Sequence, residues 1–277
     1  MRLDGKTILI TGSTDGVGRR VAERLGGMGA RVLTHGRDRE RGARIVERIR
    51  AAGGQAAFYP ADFAALAAVR RLADAVRQDH DRLDVLINNA GIGSSGPGAA
   101  RRESADGHEL VFAVNYLAGF LLTALLLPLM RAAAPARIVN VSSAGQQAID
   151  FADVMLTRDY SGGRAYRQSK LAQILFTFDL AESLQGSGVT VTCLHPATFM
   201  DTTMVRQAGT TPISTVDQGA DAILNLAVAP ELAGRTGVYF NQRQETRAEA
   251  QAYDKAARAK LHDLSLKLTG LPRNAWE

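Results

Sequence analysis

Short apolar runs alternate along the chain with longer segments in which apolar residues recur every three or four positions. The first run, Thr7-Ile8-Leu9-Ile10, has no polar alternation, the pattern of a strand covered on both faces of a parallel sheet. It feeds the glycine-rich stretch Thr11 to Gly18, beyond which Val21, Leu25 and Met28 fall on one helical face. The alternation then repeats. Arg31 to Thr34 reads as a second strand, Arg39 to Ala52 as a helix halted by Gly53-Gly54, Gln55 to Pro60 as a third strand and Ala64 to His80 as the next helix. Leu83 to Ile87, Arg137 to Val141, Val189 to Leu194 and Gly237 to Phe240 bring the strands to seven. Gly107 to Ala133, the run from Tyr166 through Phe178, and Val216 to Val228 read as helices between them. No repeat or linker divides residues 1–277, so the pattern predicts one α/β domain with a doubly wound parallel sheet of about seven strands.

Three stretches fall outside the alternation. Residues 146–163 are irregular, with Phe151, Val154, Met155, Leu156 and Tyr160 giving them an apolar character. Residues 199–212 have few regular features and suit a mobile lid. Residues 245–268 read as a charged helical tail with Leu261, Leu264 and Leu268 at core spacing, able to cap a pocket or meet another subunit.

Composition narrows the classes. A hydrophobic content of 46% in 277 residues is ample for a core. Phe112 to Met130 approaches membrane-spanning length, but Asn115 near its start and Pro128 near its end favour a buried core helix, so no stable membrane insertion is expected. The charge of +5 is spread out, and the arginines between Arg37 and Arg50 are interrupted by Asp38, Glu40 and Glu47. That is a solvated helix, not a nucleic-acid arm. A single cysteine, Cys193, leaves no intrachain disulfide framework and no Cys-based zinc site, which suits a reducing cytoplasm. The first residues pass into a strand pattern without the regions of a signal peptide.

The chemistry lies at strand ends. Gly12, Gly16 and Gly18, with Ser13, Thr14, Asp15 and Val17 between them, join a strand to a helix, where backbone N–H groups and the positive helix end can receive a pyrophosphate. A tight turn with no ligand would look the same. Asp62, followed by Phe63, can cap the helix after it. Asn88-Asn89-Ala90-Gly91 puts small and amide residues at the end of the fourth strand, where a flat ring could approach the backbone. Asn115 in so apolar a helix needs a hydrogen-bond partner. Ser142 and Ser143 end the fifth strand, and His195-Pro196-Ala197-Thr198 follow the sixth. Tyr166 and Lys170 share one helix face, with Cβ atoms roughly 5–6 Å apart, placing a phenol beside an ammonium. His195 has no metal constellation around it and reads as structural.

In this order and context the motifs resemble the short-chain dehydrogenase/reductase family over about residues 5 to 268. The gap of 23 residues between Ser143 and Tyr166, longer than in most members, resembles the retinol-dehydrogenase-like branch. The resemblance implies a Rossmann-type sheet and a nicotinamide cofactor with no metal. It implies a catalytic set of Asn115, Ser143, Tyr166 and Lys170: Ser143 at the substrate oxygen, Tyr166 as proton donor or acceptor, Lys170 lowering the phenol pKa and bonding the nicotinamide ribose, and Asn115 organising a water beside the lysine. It implies cofactor contacts from residues 12–18, Asp62 and Phe63 near the adenine, Asn89, Ala90 and Gly91, Tyr166, Lys170, Pro196 and Thr198. Gly36 stands where an acidic residue is common in the family, and Arg37 follows it. A guanidinium suits a 2′-phosphate, so NADP(H) is favoured over NAD(H), although Asp38 could serve a 2′-hydroxyl after a small shift. A small-molecule carbonyl or alcohol of fairly apolar character is the implied substrate, and a homodimer or homotetramer through the two long helices the implied assembly. A non-catalytic nucleotide sensor on the same fold is the main alternative. A nucleotide-sugar epimerase or dehydratase is disfavoured by the glycine spacing.

Overall fold

Strands apolar on both faces are stable only when helices cover both sides, and the computed structural model, described over residues 2–94 and 98–276, has that arrangement. The first half runs β1 (Thr7–Ile10), α1 (Gly16–Gly27), β2 (Arg31–Gly36), α2 (Arg39–Ala51), β3 (Gln55–Pro60), α3 (Leu66–Asp79) and β4 (Val85–Asn88). A long helical segment follows, made of α4 (Leu110–Phe112), a π turn (Ala113–Leu117) and α5 (Ala118–Ala132). The second half contains β5 (Ala136–Val141), α6 (Gly162–Ser183), β6 (Val189–His195), α7 (Thr203–Gln207), α8 (Val216–Val228), β7 (Val238–Asn241), β8 (Gln244–Glu245) and α9 (Lys255–Thr269).

The sheet order is β3-β2-β1-β4-β5-β6-β7-β8, with β8 alone antiparallel. Ile8 pairs with Val32 on one side and Val85 on the other, so the strand order reverses between β1 and β4. That reversal opens a crevice at the carboxyl ends of the strands. The period of two along β1 separates the cores: Ile8 and Ile10 face Val21, Leu25, Ile49 and Ile223, whereas Leu9 joins Leu72, Phe120, Ile138 and Leu175 on the other side.

Several expectations are corrected. The sheet has an eighth strand, because the chain turns back after β7 and pairs Phe240 with Glu245. The tail is therefore not helical from residue 245: β8 and a 3₁₀ turn (Ala250–Tyr253) come first, and α9 begins only where Asp254 caps the N–H of Ala256 at 2.8 Å. The lid contains a helical turn, α7, started by the Thr202 hydroxyl. The long helix starts at Leu110, not Gly107, because the Glu109 carboxylate caps Val111 and Phe112 there. Of the most apolar window in Leu110–Ala132, 78% is buried inside the molecule, as in a core helix. The sequence from Gly93 to Gly98, with Ser94, Ser95 and Pro97, reads as a flexible polar loop bordering the site, and its residues 95–97 lie outside the described residues.

The chain's own tail covers the two long helices. α9 lies on α6, the Tyr116 and Ser265 hydroxyls are 2.7 Å apart, and the Trp276 ring sits 5.0 Å from Phe120 and 5.6 Å from Phe176.

Candidate active site

Glycines at the carboxyl end of β1 bring three elements together. Gly12 has φ +65°, and a Cβ on it would stand 2.8 Å from the Ala90 Cα, so the β1 and β4 loops pack backbone to backbone. A Cβ on Gly18 would meet the Gly12 carbonyl oxygen at 2.3 Å. Asn89 braces the same loop, donating to the carbonyls of Thr11 and Gly12 at 2.8 and 3.1 Å, while the Thr11 hydroxyl accepts from the N–H groups of Asn89 and Ala90. Asn89 thus shapes the loop through its amide, and Thr11, unremarked in the sequence, completes the clamp.

His35 is a second residue that sequence reasoning passed over. Gly12 N–H donates to its Nδ1 at 3.0 Å, which fixes the tautomer, and Nε2–H points to the Ala61 carbonyl at 3.2 Å. Its backbone exchanges bonds with Ser13, and its ring stacks on Phe63 at 4.2 Å. Burial pulls its pKa down to about 4, so the ring is neutral. Phe63 therefore backs the loop through His35. Asp62 is exposed and bonds the Ala64 N–H at 3.0 Å.

Asp15 caps α1 and ties it to the lid. Its carboxylate accepts from Gly16 N–H at 2.7 Å and from the Thr203 hydroxyl at 2.9 Å, with Arg41 at 3.5 Å. Burial alone would raise its pKa, but Thr203, the Gly16 N–H and the Arg41 and Arg19 charges hold it below the usual range. Helix geometry leaves the N–H groups of Val17 and Gly18 without i−4 carbonyls, an anion-receptive end. Beside them a cavity of about 310 Å³ is lined by Thr14, Asp15, Arg19, Arg41, Arg44, Ile45, Arg48 and Thr203. Arg37 is exposed at the end of β2 and is not among these residues, while Asp38 is committed to capping Glu40 and Arg41 of α2. Met204 of α7 approaches the segment after β4, for a Cβ on Gly93 would stand 2.8 Å from Met204 Cγ.

At the ends of β4 and β5 the Ser-Tyr-Lys set comes together. The π turn swings Asn115 inward, where it accepts from the Ile92 N–H at 2.7 Å and donates to the Ile92 carbonyl and the Ser169 hydroxyl, each at 3.1 Å. A Cβ on Gly91 would lie 3.2 Å from Asn115 Oδ1 and 3.7 Å from Lys170 Nζ, so these side chains face each other across that glycine. Ser142 donates to the Lys170 carbonyl at 2.7 Å and fastens α6 to β5. Ser143 Oγ accepts from Gly145 N–H at 3.0 Å, and its carbonyl takes Tyr239 and Gln146 as donors. A Cβ on Gly145 would stand 3.5 Å from Ser143 Oγ and 3.8 Å from Tyr166 Cε1, so the hydroxyl and the phenol ring flank that glycine together.

Lys170 Nζ is buried 5.8 Å from the Tyr166 ring centre and donates to the Val141 carbonyl at 2.9 Å and Gln173 Oε1 at 3.0 Å. Burial pulls its pKa down to about 7. The expected lowering of the phenol is not what this state displays: burial raises Tyr166 above its ordinary range, and only the Ser143 hydrogen bond opposes it. Beyond β6, Pro196 is buried, and Thr198 Oγ1 lies 2.9 Å from His195 Nε2. His195 is lowered by burial first and then by the Lys170 charge, the behaviour of a structural histidine. Among the described residues no cluster of histidine, cysteine and carboxylate ligands could hold a metal.

The arrangement offers an anion-receptive helix end and a glycine cradle at one end of the crevice, and a hydroxyl, a phenol and an amine at the other. Those groups fit a dinucleotide lying across β1 and β4. The sequence profile described as short chain dehydrogenase matches residues 6–212. The chain is 37% identical to human "Retinol dehydrogenase 14" over 97% of its own length and 88% of that protein. An uncharacterised protein of Mycobacterium paratuberculosis superposes with a TM-score of 0.79 at 30% identity, covering 98% of this chain and 95% of that one. The RhlG/NADP active-site complex of Pseudomonas aeruginosa does so with a TM-score of 0.70 at 30% identity, covering 87% and 95%.

Proposed function

The chain belongs to the short-chain dehydrogenase family, and on that premise we propose that it interconverts a carbonyl and an alcohol on a fairly apolar small molecule, with NADP(H) as the hydride carrier and Tyr166 as the proton donor or acceptor. The observation that carries the reading is the convergence of Ser143, Tyr166 and Lys170 from β5 and α6 at the carboxyl end of the sheet, next to the glycine loop. When bound, the nicotinamide supplies the hydride to the substrate carbon or takes it away.

The remaining work falls to the chain's own groups. Gly145 N–H occupies one lone pair of Ser143 Oγ, leaving the hydroxyl proton for Tyr166 or a substrate oxygen. Tyr166, raised by burial, is a neutral phenol at pH 7 and is prepared to give its proton to an oxygen gaining negative charge. For the reverse direction it must become phenolate, and Lys170 as ammonium would support that charge while holding the nicotinamide ribose. Asn115 would hold the Gly91–Ile92 backbone beside both. The Gly12–Gly18 loop would receive the pyrophosphate, Asp62 the adenine edge, and the Pro196–Thr198 turn the carboxamide.

NADP is favoured over NAD by the arginines of the cavity, Arg19, Arg41, Arg44 and Arg48, with Arg37 close by in sequence. Asp38, the rival acceptor for a 2′-hydroxyl, is already spent on α2. The names of the relatives suggest a retinol-like alcohol or its aldehyde as the substrate class. A cytoplasmic setting suits the single buried thiol of Cys193. A homo-oligomer would have to use a surface other than the faces of α5 and α6 under α9 and Trp276.

The test is a panel of aldehydes, ketones and alcohols, retinal and retinol included, with NADPH, NADH and their oxidised forms, followed by absorbance. Tyr166→Phe is expected to lose about 10²–10⁴-fold in turnover while still binding NADPH. Near wild-type turnover by that variant would remove Tyr166 from its role. NADPH binding without any turnover by the wild type would favour the sensor reading.

A further inference from the structure

The segment between Ser143 and Tyr166 is anchored to the start of α4 by a group the reaction does not use. Glu109 is 1% exposed, and burial raises its pKa against the pull of the Phe112 and Val111 N–H groups, the Tyr160 hydroxyl and Arg101. Its Oε2 accepts from Phe112 N–H at 2.7 Å, and its Oε1 accepts from Val111 N–H at 3.0 Å and from the Tyr160 hydroxyl at 3.3 Å. Its own N–H donates to Met155 Sδ at 3.4 Å, and Arg101 donates to the Met155 carbonyl at 2.8 Å. Capping a helix does not require an acid in so dry a place, since an exposed Asp or Ser does the same. The third donor, Tyr160, gives the carboxylate a reason to be there.

The anchored segment is internally rigid and carries a strained apolar residue. Asp153 accepts from Thr157 N–H and Arg158 N–H at 2.9 Å each. Leu156, 1% exposed, is held at φ +49°, a conformation unfavourable for a branched side chain. In that conformation it packs with Val111 and Ala165, against which Ile92, Tyr160 and Tyr166 also pack.

We propose that Glu109 is a positioning residue that latches residues 153–160 beside Tyr166 through Tyr160 and Met155, and so fixes, over the buried Leu156, an apolar wall of Ile92 and the Tyr160 ring against which the carbon skeleton of the substrate lies. The inference rests on the carbonyl–alcohol reaction proposed for this site. The wall presents the Ile92 side chain and the Tyr160 ring, while the Tyr160 hydroxyl is held by Glu109. It therefore selects substrates whose carbonyl carries an apolar chain or ring.

The experiment compares Glu109→Gln, Tyr160→Phe and the double variant. One arm measures steady-state kinetics with NADPH and an aryl or long-chain aldehyde, and the other measures backbone hydrogen exchange over residues 153–160. Each single change is expected to raise KM by about five- to tenfold, with kcat falling less than about twofold. The double variant is expected to be no worse than the worse single one. Exchange at 153–160 should quicken while α1 keeps its protection. Tyr160→Phe leaves the cap on Val111 and Phe112 intact, so it serves even where Glu109→Gln folds poorly. Multiplying effects in the double variant, kcat and KM moving together, or unaltered exchange at 153–160 would each overturn the latch. A wild-type protein that turns over no carbonyl or alcohol removes the reaction instead, and the exchange arm still decides the latch.

Discussion

His35 gives a prediction whose size and pH dependence can both be worked out. The ring fills two obligations, accepting from Gly12 N–H and donating to the Ala61 carbonyl. His35→Phe keeps an aromatic ring to stack on Phe63 but leaves both backbone groups without partners. Each such loss costs about 1–3 kcal/mol, so about 2–6 kcal/mol of stability should disappear at pH 7. The wild-type ring has a folded-state pKa of about 4, below the 6.5 of an unfolded chain. As pH falls from 6.5 the unfolded chain takes up a proton that the buried ring refuses. The stability His35 contributes is therefore complete above pH 6.5 and declines between pH 6.5 and 4, by about 3 kcal/mol in all. Urea unfolding of both proteins at pH 7 and pH 4.5 measures this, and the other titrating groups cancel in the difference. The gap should be wide at pH 7 and narrow sharply at pH 4.5. His35→Asn, whose Oδ1 can stand near the position of Nδ1 but cannot reach Ala61, should recover about half of the loss. An equal gap at both pH values would refute the buried neutral ring.

The remaining predictions concern the amine, the cofactor end and the tail. Lys170 is a lysine held at about pKa 7 by burial, so its cost to the fold is largest at pH 7 and below and fades toward pH 10.5. Lys170→Met should accordingly unfold in more urea than the wild type, by about 2–4 kcal/mol at pH 7 and much less near pH 10, while carbonyl turnover collapses; a destabilised variant would count against the desolvated amine. Arg41→Ala combined with Arg19→Ala should raise KM for NADPH by about tenfold and leave NADH within about twofold, and equal losses for both cofactors would remove the 2′-phosphate argument. Trp276→Glu, which sets a charge against Phe120 and Phe176, should loosen α9 and produce larger species than the wild type by light scattering. A stable wild-type dimer whose interface includes Phe120 or Phe176 would show that the tail does not close that face.

What the sequence determined by itself is whatever depends on neighbours along the chain. The apolar run at Thr7–Ile10 specifies a strand buried on both faces, and a four-residue spacing puts Tyr166 and Lys170 on one side of a helix. Glycines at 12, 16 and 18 announce a turn no side chain could enter, because the backbone must adopt φ +65° at Gly12 and pass within touching distance of Ala90. Irregular stretches were legible only as exceptions: β8, α7 and the start of α9 at Lys255 rest on pairings and caps that no period reports. Tertiary structure alone decided the partners of buried polar groups. Nothing local to His35 announces Gly12 and Ala61, nothing near Asn89 says that its amide serves Thr11 and Gly12, and Glu109 and Tyr160 stand 51 residues apart. A hydrogen bond in a dry interior is worth making wherever the fold delivers its two ends, and that place is set by how the sheet closes. The ionisation of Tyr166 and Lys170 belongs to the same class. Their spacing promised a phenol tuned by an ammonium, whereas burial of both raises the phenol's pKa and lowers the amine's.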